Sequence, residues 1–481
     1  MSGPRLMRPL AAASAALWLA GCMVGPDYKR PDVALPAAYP EAAADKDAAP
    51  PLTAEWWKLY GDARLNELVA SALERNTDVK LAVARIEEAD ANLREANAAF
   101  LPEFDFNTNT GNGTARSRYS QITSIPLPPS VNPVHNNVRL AVTTSFEIDF
   151  WGKLRRGVEA LRALSLGSRY AKDVVTLSLA GLTVQGYFSV MSLDAQIVVT
   201  RESLASRDET LRVLRARANA GTVSDLEVNQ SVVLRANAAA QLADLLRQRV
   251  LAEHQLATLT GRLDLTLVAG DLRTLPVPPV PPPGLPSTLL ERRPDVRQAE
   301  TDLISNNAKI GVAKAFMLPT ISITGLFGGE STALSSALGS SAGRVWSIGP
   351  NVFAPIFDAG RLAARTQQAE ARQRQSLANY QKAIETAFRE VADALNNLQQ
   401  TTAAEDDLNK SADAARNALR LANLRYDAGY SAFFDVLDSQ RSLNDAELAV
   451  LRNRQARLSA SVDLMKAMGG GWSPDAAVAA R

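Results

Sequence analysis

Val138-Arg-Leu-Ala-Val-Thr-Thr-Ser-Phe-Glu-Ile-Asp-Phe150 carries an apolar residue or Thr at every even position and Arg, Ala, Thr, Ser, Glu or Asp at the odd ones. A period of two makes this a strand with one greasy and one wet face, as in a strand that crosses a membrane between lipid and water. Just upstream, after Pro102, Phe104 and Phe106 alternate with Glu103, Asp105 and Asn107, so a hairpin is expected. A second hairpin follows later in the chain. Ile321 and Ile323 alternate with Thr320, Ser322 and Thr324 after Pro319, and Val345 to Phe357 supplies the return strand.

The two hairpins belong to a duplicated unit. Arg75 to Pro102 aligns without a gap on Arg292 to Pro319 at an offset of 217, with Arg75, Asp78, Val79, Ala82, Ala91, Leu101 and Pro102 among the residues that recur. Gly152-Lys153-Leu154 returns as Gly360-Arg361-Leu362, and Ala220-Gly221 as Ala428-Gly429, both at an offset of 208. A period of about two hundred residues is far too long for a solenoid, so the unit is domain-sized. The boundaries expected are a signal peptide at 1–21, an extended segment at 22–62, a first copy at 63–270, a Pro-rich linker at 271–286, a second copy at 287–468 and a tail at 469–481.

Helices of unusual length fill the rest of each copy. No proline interrupts Leu154 to Arg217 or Leu362 to Arg425, which allows rods of roughly 96 Å. Leu377, Ile384, Val391 and Leu398 recur every seven residues with Tyr380, Ala387 or Phe388, and Ala394 or Leu395 between them, a coiled-coil seam. Val436, Leu443, Val450 or Leu451, Leu458, and Leu464 or Met465 continue it on the return helix. Single shorter helices are expected at Leu65–Ala99 and Leu290–Ala315. Pro276 to Pro283 reads as a stiff extended connector.

Composition excludes several functions. A net charge of +1 leaves no basic excess for nucleic acid, and loss of Arg5 and Arg8 with the leader makes the mature chain slightly acidic. One cysteine and two distant histidines, His135 and His254, leave no multi-Cys or His cluster, so no metal or cofactor is expected. Arg5 and Arg8 precede an apolar run from Leu10 to Ala20, too short to span and suited to secretion. That run ends Leu19-Ala20-Gly21-Cys22, which resembles the lipobox of bacterial lipoproteins and makes Cys22 the lipidation site; Met23 in the next position matches lipoproteins sorted to the outer membrane. No other apolar stretch approaches the length of a transmembrane helix, so spanning falls to the strands.

Four strands cannot close a barrel, and open edges in lipid leave backbone groups unpaired at several kcal/mol each. Two chains would give eight strands and a solid barrel; three would give twelve and room for a lumen. The expected fold is therefore mainly α with a membrane β part. Its duplicated unit forms a trimeric twelve-stranded β-barrel, four strands per chain, coaxial with a long α-helical barrel.

Several further segments carry a resemblance: Val24-Gly25-Pro26-Asp27-Tyr28 with Pro31, Trp56-Trp57, Glu147-Ile148-Asp149 before Trp151-Gly152, Leu289-Leu290-Glu291-Arg292-Arg293-Pro294-Asp295, Ile310-Gly311-Val312-Ala313-Lys314-Ala315 and Asp435-Val436-Leu437-Asp438. Together they resemble the outer-membrane factors of tripartite efflux pumps, the TolC-like and OprM-like channels, in their lipoprotein branch. The resemblance implies a homotrimer in the outer membrane that extends into the periplasm. It also implies docking to a periplasmic adaptor protein and an inner-membrane transporter driven by protons.

Each long helix pair turns at Gly, in Gly221-Thr222-Val223-Ser224 and Gly429-Tyr430-Ser431, where Gly suits the left-handed helix end and Ser the next N-cap. The resemblance puts adaptor docking at these turns. Asp435 and Asp438 sit one turn apart on a helix face; read alone, they either ring a trimer axis or serve as a dipole partner and a solvated acid. Similarity to the family's Asp-Val-Leu-Asp gate favours the ring. The resemblance also makes Tyr426 and Glu227 a hydrogen-bonding latch, although Glu227 ends a Ser224-x-x-Glu227 capping box as well. Where the family's latch has an arginine, the matching position here is Ser431. Rival readings are a conduit for protein secretion, a non-conducting periplasmic spacer, and a hydrolase using Glu87 and Glu88. The adjacent carboxylates point to different helix faces and no nucleophile accompanies them.

Overall fold

The computed structural model describes residues 23–36, 39, 52–114, 134–279, 289–331, 333–339 and 341–472. The expected signal peptide with Cys22, the loop 115–133, residues 280–286 of the Pro-rich linker and the end of the tail lie outside the described residues. The first copy contains α1 (Ala63–Arg75), α2 (Thr77–Ala98), β1 (Glu103–Thr114), β2 (Val134–Ile148), α3 (Lys153–Asn219) and α4 (Asp225–Thr260). The second contains α5 (Pro294–Ala315), β3 (Thr320–Ser331), β4 (Arg344–Phe353), α6 (Arg361–Asp427) and α7 (Phe433–Ala467). Both ends of α2 and α5 correspond at the offset of 217, and both ends of α3 and α6 at 208. The latter two are each 67 residues long, about 100 Å at 1.5 Å per residue.

Four expectations need correction. The helix expected over Leu65–Ala99 breaks at Asn76, which is extended (ψ 137°); its side chain accepts from Asp78 N (2.7 Å) and donates to Leu259 O (3.0 Å). An Asn that bonds its own backbone two residues on favours a cap over a helix interior. The helix expected from Leu290 splits into one turn, Leu289–Arg292, and α5, because Pro294 cannot donate inside a helix but fits its first position. Strand β4 stops at Phe353 rather than Phe357, ahead of Pro355. Finally, α3 does contain an 18-residue window of mean hydropathy 1.5, half of it buried. Ala180, Val184, Phe188 and Met191 of this helix pack in one cluster with Leu256, Leu458 and Val462.

The chain forms two compact units that cut across the copies, one from Met1–Pro31, Glu87–Leu166 and Glu300–Asn379, the other from Asp32–Ile86, Gly167–Ala299 and Tyr380–Arg481. The first holds one antiparallel sheet in the order β1-β2-β3-β4, so β2 and β3 join the hairpins of the two copies. Register aligns Phe106, Val142, Phe327 and Trp346 across all four strands, and Phe104, Thr144, Gly325 and Ile348 beside them. On the opposite face, Asp105, Thr143, Leu326 and Ser347 align. Phe104, Phe106, Phe327, Trp346 and Ile348 are all exposed in the single chain. Each strand leads into its long helix through a Gly elbow. Asp149 accepts from Leu154 N and Arg155 N (both 2.9 Å) below Gly152, and Asp358 accepts from Gly360 N (3.0 Å) and Leu362 N (2.9 Å).

The segment following Cys22 is a strap on this unit. Val24 N donates to Trp151 O (3.0 Å), Asn307 Nδ2 to Pro26 O (2.8 Å), and Arg30 Nη2 to Glu300 Oε2 (2.6 Å). Arg156, 2% exposed in its side chain, bonds Asp27 (2.6 Å) and Glu159 (2.7 Å). A Cβ on Gly311 would stand 2.6 Å from Val24 O and 2.8 Å from Arg156 Cγ. Gly311→Val is therefore expected to unseat the strap at a cost of about 1–3 kcal/mol, typical of overpacking. A lower thermal midpoint and faster proteolysis within residues 23–30 would register it.

The second unit is centred on Trp56, Tyr60, Leu65, Phe188, Leu256, Leu458 and Met465, all buried in one cluster. Tyr60 and Ser461 share a hydroxyl hydrogen bond (2.7 Å), and the Tyr60 ring meets Phe188 edge-on at 5.0 Å. Asp62 caps α1 through Arg64 N (2.8 Å) and accepts from Tyr187 Oη (2.7 Å). Most of the heptad seam is buried, Tyr380, Ile384, Ala387, Val391, Ala394 and Leu398 in α6 and Val436, Leu451, Leu458 and Leu464 in α7, while Leu377 and Leu443 are half-buried.

Candidate functional site

Both helical hairpins of the second unit turn by the same bonds. Gly221 has φ +75° and Gly429 φ +77°, a left-handed conformation that glycine adopts without strain. Gly221 N donates to Ala218 O (2.9 Å) and Thr222 N to Arg217 O (3.0 Å); Gly429 N donates to Tyr426 O (2.9 Å) and Tyr430 N to Arg425 O (2.8 Å). The C-terminal carbonyls of α3 and α6 are satisfied in this way.

The serines behave differently from expectation. Ser224 occupies the N-cap of α4 with extended backbone, but its hydroxyl makes no capping bond, and Glu227 N bonds the Ser224 carbonyl instead (3.2 Å). Ser431 is not a cap at all. Ala432 takes that place on α7, and the Ser431 hydroxyl is buried without a partner among the described residues. The capping box does not form, and the Glu227 carboxylate instead accepts from Tyr426: Tyr426 Oη donates to Glu227 Oε2 (3.3 Å), linking α6 to α4.

Tyr426 and Glu227 are thus brought together within one chain, and a third residue joins them. The Arg217 guanidinium lies over the Tyr426 ring, 5.9 Å from its centroid, and 4.0 Å from Asp427 Oδ1. Phe433 packs on the same ring at 5.1 Å, beside a buried cluster of Leu214, Ala422, Val436 and Leu437. Burial, and then the Glu227 charge, push the Tyr426 phenol above its ordinary range, while Arg217 pulls it back. The phenol therefore remains a donor at neutral pH. Sequence reasoning missed Arg217. The signal available was the repeat itself, since Arg217 and Arg425 correspond at the offset of 208 and each stands four residues before its Gly.

Asp435 lies in the first turn of α7, exposed, and makes no salt bridge among the described residues. Asp438, a turn later, is bonded to Arg441 Nη2 at 2.6 Å. The two acids are unequal in one respect: Asp435 contributes a bare charge and Asp438 half of an ion pair. Thr222, Val223 and Tyr430 lie in the turns, with Tyr430 exposed. Glu87 and Glu88 stand exposed on α2, in the other unit.

A family model described as outer membrane efflux protein matches residues 68–262 and 285–470. The outer membrane protein OprJ of Pseudomonas aeruginosa is 34% identical over 465 residues, 95% of this chain and 94% of its own. The cation efflux system protein CusC of Escherichia coli O157:H7 is 30% identical over 468 residues, covering 95% and 97%. Among solved structures, the Campylobacter jejuni CmeC outer membrane channel superposes with a TM-score of 0.83 at 27% identity, covering 94% of this chain and 96% of that one.

Proposed function

Because the chain belongs to the outer membrane efflux protein family and is an outer-membrane channel of a tripartite efflux system, we propose that it conducts as a homotrimer gated at its helical turns. The observation that carries this reading is the sheet. It has an apolar and a polar face, and β1 and β4 are both open edges. Edges in lipid must pair, and three copies of four strands close a barrel wide enough for a wet lumen. Substrate passes through passively, delivered from a periplasmic adaptor and an inner-membrane transporter.

The adaptor docks at the turns Gly221–Ser224 and Gly429–Ser431. Asp435 and Asp438 narrow and charge the mouth, and the Tyr426–Glu227 bond with Arg217 holds the resting arrangement. Arg217 supports this by supplying the cation that Ser431 does not. Acylation of Cys22 anchors the chain in the outer membrane. The seat of the next residue supports it: a Cβ on Gly152, at the strand–helix elbow, would fall 2.5 Å from Met23 Cγ.

Detergent-extracted protein should run as a trimer by light scattering and conduct in planar bilayers. Cysteines placed at Thr222 and Tyr430 should crosslink in cells to one periplasmic adaptor. A stable monomer, or trimers without conductance, would refute the channel assembly; crosslinks from both turns only to sister chains would refute the docking site.

A further inference from the structure

Beyond the gate, the second unit contains a cavity of about 280 Å³ between α3, α6 and α7, lined by Ser203, Arg207, Arg416, Gln440, Asn444 and Glu447 among others. Its deep wall is polar and buried. Arg207, Gln440 and Asn444 are 6%, 8% and 6% exposed, yet Arg207 Nε, Gln440 Oε1 and Asn444 Oδ1 have no hydrogen-bond partner among the described residues. Arg207 is held in place by Nη1 donating to Leu234 O (2.8 Å), which leaves Nε unused. Asn444 Nδ2 has only two long contacts, Gln241 Oε1 and Asp445 Oδ1, each at 3.5 Å. At the rim, Arg416 and Glu447 are paired at 2.9 Å. Buried polar groups in folded proteins are nearly always paired, with protein, water or a ligand.

The orphan atoms specify that occupant. A guanidinium N–H seeks an anionic or carbonyl oxygen, and two amide oxygens seek N–H donors. The charges lining the cavity, Arg207 and Arg416 against Glu202 and Glu447, balance. Val199, Leu419 and Leu443 add apolar wall. We propose that this cavity binds a small zwitterion with an apolar body, its carboxylate received by Arg207 and its ammonium group by Gln440 and Asn444. Gln440 lies two residues beyond Asp438 on the same helix.

The test is calorimetric titration of the full-length trimer in detergent with L-phenylalanine, alongside 2-phenylethylamine, which lacks the carboxylate, and 3-phenylpropionate, which lacks the ammonium. The expected result is saturable binding of L-phenylalanine at one per chain, at least tenfold weaker for either half-zwitterion. Gln440→Met and Asn444→Leu, close in volume to the residues they replace, should each weaken binding at least tenfold, and they carry the test if Arg207→Gln does not fold. Absence of saturable heat, affinity unchanged in both amide variants, or equal binding of either half-zwitterion would overturn the proposal and leave a hydrated void.

Discussion

In planar bilayers, the trimer carrying Asp435→Ala together with Asp438→Ala is expected to pass from preferring cations to preferring anions, with a higher resting leak. The inversion, rather than a mere loss, follows from the ion pair on α7. Arg441 neutralises Asp438 at 2.6 Å, so in the wild type the net charge of this helix face is that of Asp435. Removing either acid brings the face to zero; removing both leaves the Arg441 guanidinium alone, three times around the axis. Charged clefts raise the local concentration of counter-ions about tenfold or more, so the ratio of cation to anion permeability should move by about that factor. The effect should shrink at 1 M salt, where the Debye length falls to about 3 Å. The single variants should resemble each other in selectivity. A permeability ratio unchanged in the double variant at low salt would remove Asp435 and Asp438 from the mouth of the channel.

The parts of this molecule that were legible in sequence are those with a period. Alternation over Val138–Phe150 marked β2, the heptads marked α6 and α7, and the offsets of 217 and 208 recur between the ends of α2 and α5 and of α3 and α6. Periodicity works because one repeated face meets one repeated environment. The misreadings came from local breakers and from side chains bonding across long sequence gaps: Pro294 splits one expected helix and β4 stops ahead of Pro355. Asn76 breaks a helix partly by reaching Leu259 O, 183 residues away, a partner that no local pattern announces. At the candidate site, the resemblance pointed to Tyr426, Glu227 and the two acids. It could not show that Arg441 discharges one acid, or that Arg217 stands over the phenol.

The sharpest contrast should come from two neighbours on β3. Phe327 lies in the apolar row with Phe106, Val142 and Trp346, whereas Leu326 lies on the other face with Asp105, Thr143 and Ser347. In a closed barrel the first row meets lipid and the second the lumen. Phe327→Arg then carries a charge into hydrocarbon at about 2–4 kcal/mol if the row lies near the bilayer midplane, incurred in each of three chains. Leu326→Arg places the same charge in water, where it costs little and adds three positive charges to the lumen. We expect Phe327→Arg to yield almost no heat-resistant trimer in the outer-membrane fraction, and Leu326→Arg to assemble near wild-type levels with a measurable shift of selectivity towards anions. The two positions are adjacent in the same strand and both variants introduce the same residue and charge, so unfolded-state effects largely cancel between them. Equal yields of the two would mean that the sheet faces the same solvent on both sides, and the barrel would have to be abandoned.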